Sequence, residues 1–388
     1  ELHGEETLRK IFSIFTSSHY KNTPNDMKIL ADMPNHQIFV LSDGNMIYCA
    51  VHIAFEQLKN LGQARSGHEN KSGNLLPWII HDQYTVFNPE IGNLSCKGLR
   101  IVRIAVPGEF QGKGYGSETV NQILSHFSLK CLDVGLEYLQ HPTGATQNDI
   151  NPLFKPVSAT EIGFVGVSTS LNQKMYKFFS KLNFIPIHIG QNINQSGEFS
   201  FSMVYLDKKN NTGDIGCPFN NSGLQNALAI QNILLSCHDY FKLKFLRLAS
   251  SIWFDLGPEL AFDIVRSQHS VMISKNTYQF NLHDFDQIRL AQFAAYKCDF
   301  SVVRDCIREV AIFYFMNKNL VNLNTAQSKS DEKATNQPLL VKSEELILFC
   351  IGIFAISPKE IVTQFDGLNV ETVVLYLRKA VDTILKYN

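Results

Sequence analysis

Leu99-Arg-Ile-Val-Arg-Ile-Ala-Val-Pro-Gly-Glu-Phe-Gln-Gly-Lys-Gly-Tyr-Gly-Ser117 decides the reading of this chain. Its first half is a β-branched, alternating run (Ile101, Val102, Ile104, Ala105, Val106), which predicts a strand over 99–106. The chain then turns through Gln111-Gly-Lys-Gly-Tyr-Gly116 and enters a run with Val120, Ile123 and Leu124 at helical spacing, which predicts a helix over 117–127. Strand, glycine-rich turn and helix together form a pyrophosphate cradle. The glycines allow close backbone approach, several N–H groups turn inward, and the helix start adds its positive dipole end.

The spacing excludes two phosphate motifs. A dinucleotide fingerprint needs G-x-G-x-x-G, whereas these glycines fall at 112, 114 and 116. A Walker A loop needs four residues between its first Gly and Gly-Lys; Gly108 and Gly112-Lys113 enclose three, and Gly114 follows where Ser or Thr belongs. Q-x-x-G-x-G after a strand resembles the coenzyme A loop of the GNAT N-acetyltransferases. The resemblance implies that Gln111, Gly112, Lys113, Gly114, Tyr115, Gly116 and Ser117 hold a CoA pyrophosphate. It also implies that Ile104, Ala105 and Val106 line the acetyl-pantetheine arm, with a backbone N–H near Ala105 or Val106 facing the oxyanion. Each charge-assisted N–H to phosphate bond contributes roughly 1.5–3 kcal/mol, so four or five would anchor the cofactor.

The flanking sequence narrows the resemblance. In order, the chain carries Ser18-His-Tyr-Lys-Asn-Thr-Pro-Asn-Asp26, Ser72-Gly-Asn-Leu-Leu-Pro-Trp78, Arg103-Ile-Ala-Val106, the glycine loop and Gly166-Val-Ser168. Lys177-Phe-Phe-Ser-Lys-Leu-Asn-Phe-Ile-Pro186 and Gln191 through Gly197-Glu-Phe-Ser200 follow. Together these are similar to the acetyltransferase part of the RNA cytidine acetyltransferases, and the similarity continues past residue 230. It implies acetyl transfer from acetyl-CoA to the N4 amine of cytidine in tRNA and small-subunit 18S ribosomal RNA. A role in small-subunit ribosome biogenesis, a nuclear and nucleolar location and an adaptor protein for tRNA come with it. Family members carry an ATP-dependent helicase-like module upstream, and this chain starts at Glu1 without one or any Walker A loop. The expectation is therefore a fragment, with any ATP use residing elsewhere.

Composition agrees with a globular chain of two or three domains. It has 388 residues, 45% hydrophobic and 18% charged. No apolar run reaches the ~18–20 residues that cross a bilayer, so no membrane partner is expected. Eight cysteines are scattered with no C-x-x-C and no His/Cys ligand spacing, which predicts buried thiols, no disulfides and no metal site. A net charge of −1 argues weakly against RNA affinity, which depends on neutralising phosphates, though a neutral total can hide a basic stripe.

Along the chain, a helix over 1–20 precedes a hairpin of 37–41 and 46–53 around Asp43-Gly-Asn. The segment 58–74 reads as a loop and 130–160 as a family insertion. Strands are expected at 164–167, 184–189 and 198–206, with a helix at 172–182. That order suits one mixed sheet flanked by helices, an α/β GNAT fold over 1–206. A linker at 207–225 leads to an all-α RNA-binding domain over 226–388, with 318–338 polar and flexible. Its helices are placed at 228–254, 258–268, 283–296, 299–318, 343–355 and 370–387.

Cytosine's exocyclic amine is a poor nucleophile, and a general base typically contributes about 10²–10⁴-fold. Here the chain departs from the family. It has Pro107-Gly-Glu-Phe-Gln111 where members carry His-Pro-Asp-Tyr-Gln, and Gly197-Glu-Phe-Ser200 where they carry Gly-Glu-His-Ser. Glu109, Glu198 and His188 remain as alternative bases, and Tyr176 as an acid in place of Phe179 or simply as a core residue. No group is assigned. The family's CoA-binding arginine before Phe184 is replaced by Lys181, which supplies charge without the bidentate fork. Tyr240-Phe-Lys-Leu-Lys-Phe-Leu-Arg247 reads either as an RNA face or as an amphipathic helix with a solvated basic side. The acyltransferase reading stands first. A CoA- and RNA-binding scaffold impaired in catalysis, and a protein lysine acetyltransferase, are the alternatives.

Overall fold

The computed structural model of the chain describes residues 2–18, 35–43, 46–58, 75–84, 96–127, 162–194, 197–206, 221–266, 278–327 and 339–387. Residues 59–74 of the expected loop, the insertion at 130–160, residues 207–220 of the linker and residues 328–338 lie outside these. The first elements are α1 (Leu2–Ser18), β1 (His36–Ser42), β2 (Ile47–Leu58), α2 (Leu75–Tyr84) and β3 (Cys96–Ala105). A 3-10 turn at Gly108–Phe110 leads to α3 (Tyr115–His126), β4 (Ile162–Ser170), α4 (Gln173–Lys181), β5 (Phe184–Ile193) and β6 (Phe199–Tyr205). The helical region comprises α5 (Asn221–Leu248), α6 (Pro258–Arg266), α7 (Asp284–Ala294), α8 (Ile307–Gln327), α9 (Lys342–Gly352), α10 (Pro358–Gln364) and α11 (Val370–Tyr387).

The strands form one six-stranded sheet in the order β1-β2-β3-β4-β6-β5. β1–β2 and β2–β3 run antiparallel and β3–β4 parallel, so the sheet is mixed, as expected. The chain divides into two compact units. One holds residues 1–169, 178–185 and 201–234; the other holds 170–177, 186–200 and 235–388.

In the first unit the two-residue period of β2 sorts its side chains between two faces. Ala50 joins Ala105, Ile11 and Phe15 in a core under α1. Glu56, on the same face and only 1% exposed, holds the start of α2. Its two carboxylate oxygens accept the N–H groups of Leu75 (3.2 Å) and Leu76 (2.9 Å), and the Arg100 guanidinium binds it at 2.5 Å. The opposite face of β2 carries Cys49 and Phe55, which meet α3 at Thr119 and the following Phe127. α3 buries Thr119, Val120, Ile123 and Leu124 against that face. Two glycines let neighbours close on the sheet. A Cβ on Gly98 would sit 1.9 Å from the Phe164 ring, and one on Gly166 would sit 2.5 Å from Leu76 of α2.

The second unit is built on aromatic stacking and a buried charge cluster. Phe241, Phe245 and Trp253 stack in series at 5.7 and 5.4 Å, and the Trp253 indole N–H donates to the Gly190 carbonyl. Phe262, Phe315 and Phe349 pack edge-on or tilted at the crossing of α6, α8 and α9. Glu345, 2% exposed, collects Arg266, Lys318 and Tyr314 around its carboxylate.

Differences from the sequence reading have local causes. α5 stops at Leu248 rather than 254 because Arg308 caps the carbonyls of Leu246 and Arg247, after which Trp253 begins a 3-10 turn. The helix expected at 299–318 is a 3-10 turn at Phe300–Val302 followed by α8 from Ile307 to Gln327. α2 and α10 were not expected. α2 takes its N-terminal cap from Glu56, in another strand, whereas Ser357 and Glu360 form a capping box that starts α10.

Candidate functional site

The glycine loop is a turn of open backbone. Gly112 and Gly114 have φ of +75° and +93°, the left-handed region that side chains with a Cβ disfavour. Among the described residues, a Cβ at Gly108, Gly112 or Gly114 would meet nothing within 4 Å, so they leave one side of the loop clear. Gly114 is the N-cap of α3 and has no side chain with which to cap that end; the first N–H to turn inward is Glu118 to the Gly114 carbonyl at 3.0 Å. The amides of Tyr115, Gly116 and Ser117 thus head the helix as a donor cluster suited to an anion. Ser117, expected at the helix start, is instead its third residue. Gln111 braces the turn by donating its side-chain amide to the Val106 carbonyl at 3.0 Å. Lys113 lies exposed over the Phe110 ring at 5.6 Å. Glu118, the acidic residue of the first turn, is exposed and bonded to Gln122.

Beside this loop the sheet opens. Parallel pairing of β3 with β4 runs from Lys97–Ile162 to Ile101–Val167 and goes no further, although β3 continues to Ala105. Past Ile101 the two strands part. Ile104 and Val106 are half-buried there and Ala105 is buried. Opposite them β3 keeps its pairing with β2, so the opening has a fixed wall. That pairing skips Val102, a bulge between the His52–Arg103 and Ile53–Ile101 partners. A glycine loop leading into a helix with a glycine N-cap, beside a parted strand pair, fits a phosphate-bearing ligand with a thin extended arm.

The remaining sequence candidates fall into separate places. A Cβ on Gly116 would lie 3.5 Å from Phe178, so α4 packs on the first turn of α3, and Lys181 lies one turn beyond Phe178, exposed. Glu109 is exposed in the 3-10 turn that enters the loop. Phe179 is fully buried. Tyr176 is 3% exposed, and its hydroxyl donates to the Asp263 carbonyl at 3.0 Å, which commits that proton to the interior of the second unit. His188 is half-buried on β5. Glu198 closes the β5–β6 turn, its N–H donating to the Asn194 side chain at 3.1 Å. In α5, Phe241 and Phe245 are buried and Arg247 is exposed, while burial lowers Lys242 to about 8.

One pair escaped the sequence reading. On the α1–α2 face of the hairpin, His36 Nδ1 and His52 Nε2 are 2.7 Å apart. His52 is 2% exposed, and its Nδ1 has no hydrogen-bond partner among the described residues. Burial, then the charges of His36, Arg103 and Arg100, pull His52 down to about 3; burial and Arg100 also lower His36. Both rings are therefore neutral near pH 7. His52 stands directly across from Arg103, in the part of β3 beyond its last pair with β4. The pair lies on the face opposite α3. The only local signal was a hairpin with histidines on the same face of each strand.

A family model described as GNAT acetyltransferase 2 matches residues 10–207. The chain is 25% identical over 362 residues to the RNA cytidine acetyltransferase of Homo sapiens, covering 84% of this chain and 34% of that protein. It is 26% identical over 377 residues to the RNA cytidine acetyltransferase of Saccharomyces cerevisiae, with 84% and 33% covered. It is 27% identical over 337 residues to the tRNA(Met) cytidine acetyltransferase TmcA of Thermofilum pendens, with 84% and 34% covered. The chain spans about a third of the length of these relatives.

Proposed function

This chain belongs to the GNAT acetyltransferase 2 family, and from that premise we propose that it is the acetyl-transferring part of an RNA cytidine acetyltransferase. The observation that carries the proposal is the open glycine loop at the start of α3, where glycine is the N-cap, set beside the parting of β3 from β4. The relatives named RNA and tRNA cytidine acetyltransferases support cytidine in RNA as the acceptor.

Acetyl-CoA, when bound, supplies the acetyl group as an activated thioester. The residues of this chain do the rest. The amides at 112–117 and the ammonium groups of Lys113 and Lys181 would hold its phosphates. The gap beside Val102–Ala105 would admit the arm, and the Val106 N–H is the donor proposed for its carbonyl oxygen. A base of low pKa suffices because the attacking nitrogen becomes strongly acidic once it bonds to carbon. For that proton the chain offers exposed Glu109 and half-buried Glu198 and His188, whereas His52 Nδ1 is sealed from solvent beneath α1 and α2.

The small-subunit ribosomal role and nucleolar location belong to the same proposal and rest on the resemblance alone. The test is incubation of the full-length protein with labelled acetyl-CoA, tRNA and small-subunit rRNA fragments, followed by nucleoside mass spectrometry. N4-acetylcytidine is the expected product. Label in protein lysines without any acetylated nucleoside supports the lysine acetyltransferase instead, and acetyl-CoA binding with no transfer supports the scaffold.

A further inference from the structure

The two ends of the glycine loop rest on one aromatic ring that the cofactor reading does not use. Tyr48, early in β2, stacks on Tyr115, the first residue of α3, with centroids 4.7 Å apart and planes 12° from parallel. The same ring meets Phe110, the last residue of the 3-10 turn, edge-on at 4.9 Å. Phe110 and Tyr115 also touch each other at 5.8 Å and 78°. The three rings thus form a triangle that ties together the two ends of residues 111–114.

The Tyr48 ring is itself tethered. Its hydroxyl donates to Asp43 Oδ2 at 2.7 Å, while Asp43 Oδ1 accepts the Met46 N–H at 2.9 Å. The Asp43 N–H donates to the Met46 carbonyl at 3.3 Å, closing the hairpin end. One carboxylate therefore fixes both the end of the β1–β2 hairpin and the ring on which the loop rests.

We propose that Asp43 and Tyr48 are positioning residues that pre-order the phosphate loop for acetyl-CoA. The inference rests on the reading of that loop as the acetyl-CoA site. Two glycines at positive φ make residues 112–114 costly to order, and ordering them only at binding would subtract from affinity. Clamping Phe110 and Tyr115 to one ring places the loop ends beforehand. Ordinary surface packing of the same rings would stabilise the fold without a selective effect on the loop.

The experiment is calorimetric titration of this chain with acetyl-CoA, paired with amide hydrogen exchange of the free chain, for wild type, Tyr48→Ala, Tyr48→Phe and Asp43→Ala. Tyr48→Ala should weaken acetyl-CoA about tenfold, the scale of losing two aromatic contacts. Exchange should speed up at 111–117 while peptides of β3 and β4 stay unchanged. Tyr48→Phe keeps the ring and should restore affinity to within about threefold of wild type. Asp43→Ala should cost a similar two- to threefold, and it decides the matter if Tyr48→Ala does not fold. Unchanged affinity in Tyr48→Ala, or faster exchange spread evenly over the sheet, overturns the positioning role. A wild-type chain that binds no acetyl-CoA refutes the cofactor reading, and exchange at 111–117 then still decides whether the ring orders the loop.

Discussion

His36 and His52 share a 2.7 Å hydrogen bond across the β1–β2 hairpin. The register creates it: His36 stands opposite Ala54 and His52 opposite Ile38, so the two rings meet on the diagonal of one face. In the folded chain His52 is held at about 3, mostly by burial, against a model-peptide value of 6.5. A depressed histidine leaves the unfolded chain binding more protons between those two values. Its neutral form thus contributes stability that is complete above pH 6.5 and is lost as pH falls towards 3. At pH 5 the loss relative to pH 7 is about 2 kcal/mol. A His52→Gln variant should therefore show a flatter fall in urea-unfolding free energy between pH 7 and 5. A slope identical to wild type means that His52 is not buried as a neutral ring.

The same pair carries a prediction on turnover. Because His52 Nδ1 is sealed from solvent, His36→Gln and His52→Gln should lower stability but leave kcat for cytidine acetylation close to wild type; a fall of about 10²-fold in either variant would instead make the pair the general base. The affinity for acetyl-CoA should not change, because the rings lie on the face opposite α3. Unaltered kcat in both variants assigns the proton to another group, with exposed Glu109 the next to test.

Gly112→Asp and Gly116→Glu should separate charge in the cradle from damage to the fold. A side chain at Gly112 enters open space, and aspartate tolerates its positive φ at about 1 kcal/mol. It places a carboxylate where phosphates belong, so acetyl-CoA affinity should fall at least tenfold with a melting point only a few degrees lower. Gly116 is buried, and a Cβ there already lies 3.4 Å from Val106 and 3.5 Å from Phe178. The longer glutamate must push α3 off α4, and Gly116→Glu should lose binding together with cooperative unfolding. If both variants melt alike, the packing argument for Gly116 is wrong.

What the sequence disclosed depends on how far each feature reaches along the chain. Strand, glycine turn and helix were legible at 99–127 because a β-branched run, glycines and helical spacing act over a few residues. β1 and β2 were legible for the same reason. α2 was hidden because the carboxylate that caps it lies 19 residues upstream, and Pro77 interrupts its pattern. The overlong reading of α5 has a like cause, since the Arg308 that ends it comes some 60 residues later. The histidine pair needed strand register, which no local composition encodes. The Phe110–Tyr48–Tyr115 triangle is equally non-local, for Tyr48 belongs to a strand far upstream of the loop it braces.

Gly98 is required by a ring, not by a turn. It pairs with Phe164 across β3 and β4, and a Cβ there would lie 1.9–2.3 Å from three atoms of that ring. Phe164 is 2% exposed and has little room to swing aside. Gly98→Ala should cost about 3 kcal/mol by overpacking, read as a lower urea midpoint. Phe164→Leu should cost about 1–2 kcal/mol alone yet recover part of the loss in the double variant. Simple additivity of the two changes is the result that refutes the contact.

Glu345 sets the last prediction, because its neighbours depend on its charge. Arg266 Nε lies 3.2 Å from one carboxylate oxygen; Lys318 and the Tyr314 hydroxyl, the latter at 2.5 Å, meet the other. Burial and the facing carboxylate hold Tyr314 protonated as a donor. Lys318 is only 4% exposed, and burial lowers its pKa while Glu345 raises it. Glu345→Gln keeps the volume and removes the charge, leaving a buried ammonium without its counter-ion. That should cost about 3–5 kcal/mol in urea unfolding. Lys318→Met should cost less, since Arg266 and Tyr314 still bind the carboxylate. The double variant Glu345→Gln/Lys318→Met should then recover most of the loss, because the stranded charge is gone. A Glu345→Gln chain within 1 kcal/mol of wild type would show that Lys318 escapes to water and that the cluster does not hold α6, α8 and α9 together.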